Sequence, residues 1–290
     1  MNYKISGFAD EISMDLSEQV RHITGLGMKY IEMRGLDGDN LIYHTDEKVR
    51  EIKRVLDGSG ISLSALGSPL GKIDITDDFD KHFEEYKRAV EIAHMMDCRN
   101  IRMFSYYIPQ DEAPAVYETA VFERTGRFVD YARVNDVVLL HENEKGIYGA
   151  KAPECRKLMD TFFGDHFKAV FDFANFVQCR QDTLEAYEML KSYIVYIHVK
   201  DALWSDGSVV PSGCGDGHVA DILQQLFSDG FDGFLSIEPH LSEFTGFAGL
   251  EKNDKISLGS RFKFADGSPL SGPDAFTLAH SALTDILEGI

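Results

Sequence analysis

The chain has 290 residues, 44% of them hydrophobic, enough for one large core. Lysine and arginine total 29 against 48 aspartates and glutamates, and the resulting net charge of −19 repels phosphate backbones and anionic membranes. Nucleic acid and membrane are therefore excluded as expected partners, and no apolar run approaches spanning length.

Predicted strands and helices alternate along the chain. Short β-rich runs fall at residues 3–9, 29–34, 61–66, 100–106, 137–143, 168–174, 194–200 and 233–239. Segments with apolar residues at helical spacing lie between and after them, at 16–26, 46–58, 77–96, 115–135, 153–163, 183–191, 219–228 and 274–288. In "DDFDKHFEEYKRAVEIAHMM", Phe79, Phe83, Tyr86, Val90 and Ala93 recur every three or four residues. Thr45-Asp46 opens one helix, Gly58 and Gly60 close it, and Pro153 and Pro273 sit near helix starts. Eight strand–helix pairs in strict alternation predict an α/β chain folded as a closed (β/α)8 barrel, one domain over 1–290. The longest connection, 241–273, follows the last strand and so is expected on the active face. The start, "MNYKISGFADEIS", has no apolar signal core. Cys98, Cys155, Cys179 and Cys214 form no CxxC pair and read as reduced thiols, so a cytoplasmic protein is expected.

In such barrels the C-terminal ends of the strands build the active site. Four consecutive strands here end in "LLHENE", "VFDFAN", "YIHVKD" and "SIEPH", delivering Glu142, Asp172, His198 and Glu238. Three carboxylates with one imidazole form an oxygen-rich set suited to one divalent cation per chain, Mn²⁺ first, with Mg²⁺, Co²⁺ and Zn²⁺ also compatible. Without a cation, three carboxylates this close would repel and some would take up protons.

This ligand set, with "FADEI", "IEMRG", "GSPLGKI", "IRMFSYY", "HENEKGIYG", "FDFANF", "HVKDA" and "VPSGCGDG", resembles the xylose isomerase-like barrel superfamily and, within it, chains described as sugar phosphate isomerases or epimerases. The resemblance covers essentially the whole chain. It implies that Glu142 and Glu238 both hold the metal and move a proton at the carbon next to a carbonyl, through an enediolate. It further implies a small sugar or sugar phosphate as partner and a homo-oligomeric assembly. An inosose dehydratase-type lyase is the alternative, because the same enolate can expel a β-hydroxyl. A sugar-binding barrel without turnover is disfavoured by the intact glutamate pair. The zinc nuclease branch is disfavoured by the missing histidines and the acidic charge, although Asp216 and His218 make a D-x-H pair. Two positions depart from the ketose 3-epimerases, with Asn175 where those carry histidine and Trp204 where they carry arginine.

Further polar residues are expected to line the substrate pocket. Glu32 and Arg34 end the second strand, Lys72 follows the third, and Arg102 lies in the fourth. Glu144 shares a face with Glu142, and Lys200 with His198, by strand alternation. With Asn175 and Trp204 they complete the expected set, and Arg102 is also expected to pair with Glu142 or Glu32. His141 and His240 are expected to be packed or hydrogen-bonded rather than ligands.

Overall fold

The computed structural model describes residues 3–242 and 267–290. Eight strands form its centre: β1 (Lys4–Gly7), β2 (Tyr30–Met33), β3 (Ser62–Leu66), β4 (Asn100–Met103), β5 (Val138–Glu142), β6 (Phe167–Asp172), β7 (Ile194–Val199) and β8 (Phe234–Ile237). All neighbouring pairs are parallel and the order around the sheet is β1-β8-β7-β6-β5-β4-β3-β2. β1 and β2 lie against each other at the remaining seam, giving a nearly closed (β/α)8 barrel. Two short antiparallel ribbons, Gly35–Leu36 with Asp39–Asn40 and Asp201–Ala202 with Val209–Val210, rise beyond β2 and β7.

The described helices are α1 (Leu16–Gly25), α2 (Asp46–Gly58), α3 (Phe79–Met95), α4 (Glu118–Val134), α5 (Ala152–Phe162), α6 (Phe173–Gln178), α7 (Thr183–Leu190), α8 (Val219–Ser228) and α9 (Gly272–Gly289). Their starts follow local chemistry: Asp15, Thr45, Asp78, Asp182 and Ser271 each accept a first-turn N–H. The short α6 was not expected from periodicity. Asp172 caps it by accepting the Asn175 N–H at 2.7 Å, and Arg180, at φ 57°, separates it from α7. The fourth strand stops at Met103, short of the expected Tyr106. Phe104 N–H instead donates to Leu70 and Tyr106 N–H to Gly71, tying the loops after β3 and β4 together above the barrel.

Apolar burial between strands and helices makes the main core, as expected for strands covered on both faces. Inside the barrel a smaller layer of Ala65, Leu140, Val170 and Tyr196 fills the floor. Register shifts interrupt β2 between Ile31 and Glu32 and β6 between Ala169 and Val170, just before two inward acids. Such irregularities re-aim side chains and recur beside active sites. In the resulting register Asp172 lies opposite His198, and His198 opposite Ser236. Of the long connection 241–273, residues 243–266 lie outside the described residues, and with them the expectation that it lies on the active face. Leu241 and Ser242 at its start are buried. No described helix is long and apolar enough to cross a membrane.

Candidate metal centre

Alternation along β5 to β8 turns Leu140, Val170, Tyr196 and Ser236 into the barrel and brings Glu142, Asp172, His198 and Glu238 to the same inner face one step higher. All four are buried, and each offers a ligand atom within 4.8 Å of the others. The four strand-end residues picked out by the sequence therefore converge.

Beneath them a polar network orients the imidazole. Glu32 Oε2 accepts from Tyr196 Oη at 2.8 Å and Ser236 Oγ at 2.7 Å, and it lies 3.1 Å from His198 Nε2. Tyr196 and Ser64 share a 2.8 Å hydrogen bond, and Ser64 meets Ser6 at 2.6 Å. With Nε2 held on Glu32, Nδ1 faces the cluster. It lies 3.0 Å from Glu142 Oε1 but outside hydrogen-bonding geometry, and neither Nδ1 nor Asp172 Oδ2 has a hydrogen-bond partner among the described residues. A carboxylate fixing one imidazole nitrogen so that the other can bind a metal is a recurrent arrangement. His198 Nδ1 and the three acids thus fit a divalent cation.

Each glutamate also has a guanidinium partner. Arg102 Nη1 lies 3.2 Å from Glu142 Oε2, and Asn175 Nδ2 donates to Glu142 Oε1 at 3.3 Å. Arg34 Nη1 lies 3.0 Å from Glu238 Oε1 while its other nitrogens grip Asp10 at 2.7 and 3.1 Å and Glu11 at 3.2 Å. The Phe8 ring lies between the two guanidiniums, 4.4 Å from Arg34 and 4.9 Å from Arg102, and meets His198 edge-on at 5.1 Å. Lys200 Nζ donates to Glu238 Oε2 at 2.7 Å and lies 3.1 Å from Asp172 Oδ2. Asn143 pins the neighbouring backbone, its side chain bonded both ways to Asp172 at 2.9 Å.

Burial pushes the Asp172 carboxyl up to about 7, with Glu238 and Glu142 adding to the rise and Lys200 opposing it. Burial also disfavours the charged Glu238, but Lys200, His240 and His198 together outweigh it and hold the group well below the usual carboxylate range. For His198, burial is outweighed by Glu142 and Glu32, which hold the imidazole well above its ordinary value. Glu11 is raised to about 8 by burial despite Arg34. Glu11, Glu238 and His240 form a second buried group of ligand atoms, but the Arg34 guanidinium already bridges Glu11 and Glu238 there.

The remaining expected site residues fall at different distances from the chemistry. Lys72 Nζ lies 3.1 Å from Glu144 Oε2 and 4.4 Å from the Phe104 ring centre, forming a lateral wall with Arg102. Trp204 stands apart from this network: it is 42% exposed, its ring faces Arg180 at 5.7 Å, and its backbone N–H donates to the Asp216 carboxylate. Asp216 is thereby used structurally, and His218 lies 3.5 Å from Asp221, so this D-x-H pair joins no metal-ligand group among the described residues. His141 belongs to neither group of candidate ligand atoms among the described residues. It points away from the cluster toward Gly149, and burial pushes it down to about 3.

Sequence reading missed Phe8, Asp10, Glu11, Asn143, Tyr196 and Ser236. Tyr196 and Ser236 were within reach, since each lies two residues before a chosen ligand and shares its face. Asp10 and Glu11 sit in a 3-10 turn after β1, where no periodicity marks them.

A family model for xylose isomerase-like TIM barrels matches residues 20–259. No curated protein matches the sequence. Among solved structures, the probable 3-DHS dehydratase AsbF from Bacillus anthracis is 17% identical with a TM-score of 0.71, over 98% of this chain and 99% of that one. D-allulose 3-epimerase from Methylomonas sp. is 15% identical with a TM-score of 0.73, over 100% and 98%. The IolI protein, solved with a bound zinc atom, is 15% identical with a TM-score of 0.74, over 99% and 98%. These similarities show the fold, and the model match covering most of the barrel shows that the chain belongs to the xylose isomerase-like TIM barrel family.

Proposed function

We propose that the protein is a divalent-metal-dependent isomerase or epimerase of a small sugar, working by proton transfer at the carbon next to a carbonyl. The observation carrying this reading is the buried pair Glu142 and Glu238, each held by its own arginine, within one cluster that also contains Asp172 and His198. Glu142, Asp172, His198 and Glu238 would hold the cation, with Mn²⁺ first and Zn²⁺ or Mg²⁺ also fitting the donor set. When bound, the cation supplies Lewis-acid polarisation of the substrate oxygens.

The side chains account for the rest. A carboxylate base needs a free lone pair and a fixed position. Arg102 and Asn175 position Glu142, and Arg34 positions Glu238, so each carboxylate is oriented from behind. Glu238 stays ionised beside Lys200, with a carboxylate lone pair available to a proton. Phe8 and Phe104 are fully buried against Arg34, Arg102 and Lys72, the cations behind the carboxylates. A lyase of the inosose dehydratase type is the second reading. Lys200 supports it, because an ammonium between Glu238 and Asp172 can protonate a departing β-hydroxyl.

The test is a panel of ketoses, inososes and their phosphates, incubated with Mn²⁺ in D₂O and read by NMR. Deuterium should enter at the carbon next to the carbonyl, and Glu142→Gln and Glu238→Gln should each lose about 10²–10⁴-fold in kcat. In an epimerisation each variant should still wash deuterium into one epimer only. Near wild-type turnover in either variant would remove the two-base mechanism, and an unsaturated product would select the lyase.

A further inference from the structure

The loop after β3 carries Lys72 and is tied to the loop after β4 by main-chain hydrogen bonds. Lys72 N–H donates to the Pro69 carbonyl at 2.9 Å, closing a turn in which Gly71 is the residue before last. Gly71 has φ 84°, and a Cβ there would lie 1.9 Å from the Phe104 carbonyl oxygen, so the position requires glycine. The Leu70 and Gly71 carbonyls accept from the Phe104 and Tyr106 N–H groups at 2.7 and 3.0 Å. The Gly71 N–H belongs to neither set of bonds. It is buried, and a buried amide needs an acceptor.

That acceptor comes from outside the barrel. His82, on α3 and 4% exposed, takes the Gly71 N–H on Nε2 at 2.7 Å. A backbone amide can only donate, so Nε2 must offer a lone pair and the ring hydrogen must sit on Nδ1. Nδ1 lies 2.9 Å from Glu85 Oε2, which accepts that hydrogen. The loop amide thus fixes the tautomer of the imidazole, and the imidazole fixes the place of the loop. What the loop presents is the Lys72 side chain, 4.4 Å from the Phe104 ring centre and 3.1 Å from Glu144 Oε2, two residues beyond Glu142.

We propose that His82 is a positioning residue for the active face: as the Nδ1–H tautomer it holds the Gly71 amide, and through the turn it sets Lys72 against Phe104 and Glu144. The effect on substrate rests on the isomerase, epimerase or lyase reading given above; the hold on Gly71 does not.

Two measurements separate them. First, nitrogen NMR of the wild-type protein above neutral pH should find the His82 hydrogen on Nδ1, and a hydrogen on Nε2 would overturn the proposal. Exchange of the Gly71 amide is then followed in His82→Gln, whose side-chain oxygen can still accept the bond, and in His82→Leu, which has no acceptor. Exchange should quicken about tenfold or more in His82→Leu and stay within about threefold of wild type in His82→Gln. Equally slow exchange in His82→Leu would overturn the hold on Gly71, and the wild-type tautomer decides it if that variant fails to fold. Second, kinetics are measured with whichever sugar of the panel reacts. His82→Leu should raise KM about tenfold or more with kcat within about threefold, because the displaced lysine lies in the wall and not in the ligand cluster, and His82→Gln should restore KM. A fall in kcat at unchanged KM, or no restoration by glutamine, would overturn the positioning role. If no sugar reacts at all, the catalytic reading fails, while the tautomer and the amide exchange still decide the hold on Gly71.

Discussion

Replacing Glu32 tests the orientation of His198 separately from its presence. Glu32 Oε2 is the shared acceptor for His198, Tyr196 and Ser236, at 3.1, 2.8 and 2.7 Å. Glu32→Gln keeps one oxygen able to accept these bonds but removes the negative charge behind the imidazole. Loss of such an outer carboxylate typically costs about 10–100-fold in metal affinity, or roughly 1.4–2.7 kcal/mol. Glu32→Ala removes the acceptor altogether and strands three buried donors, at about 1–3 kcal/mol each. Relief from burying the Glu32 charge offsets part of that, and the three losses share one site and do not add. A net loss of about 3 kcal/mol in folding stability is therefore expected for the alanine variant, and a small one for the glutamine variant. Metal affinity is measured by competition with a fluorescent chelator, and stability by urea unfolding. Nitrogen NMR of the loaded protein reports which ring nitrogen of His198 carries the proton. A folded Glu32→Gln variant with wild-type metal affinity would refute the claim that Glu32 prepares His198 Nδ1 as a ligand.

Two pH predictions follow from the buried groups. Asp172, raised to about 7, and His198, raised well above its usual range, both hold protons that a cation must displace, so metal affinity should fall as pH drops. Calorimetry in buffers of different ionisation heat should find about two protons released per ion at pH 6 and fewer at pH 8, since Asp172 is then already ionised; proton-neutral binding would rule this out. His141 is depressed to about 3 by burial, so between that value and its ordinary 6.5 the unfolded chain binds the extra proton. Its contribution is present above pH 6.5 and lost as pH falls, by up to about 1.4 kcal/mol per pH unit. His141→Leu should flatten the acid side of the stability profile, and an unchanged profile would show that His141 is not buried neutral.

The barrel was legible in the sequence because its signals are local. Strands covered on both faces are continuous apolar runs, helices repeat every three or four residues, and Thr45, Asp78 and Asp182 cap by bonding amides two or three residues on. The four strand-end ligands were legible for the same reason, since a closed barrel gathers the ends of consecutive strands on one rim. The partners of those ligands required the tertiary structure. Arg34 could have faced substrate, but the turn after β1 brings Asp10 and Glu11 against it, and Glu238 reaches it from 204 residues away. Glu32 reads as a pocket residue along its own strand. Closure of the barrel carries His198 and Ser236 to it instead. Asp201, Gly213, Gly215 and Gly217 lie close in sequence, yet only the fold of the loop after β7 shows that the glycine amides turn inward onto the carboxylate. Periodicity records which face a residue occupies; which charge meets it there depends on chain closure over distances that no local pattern spans.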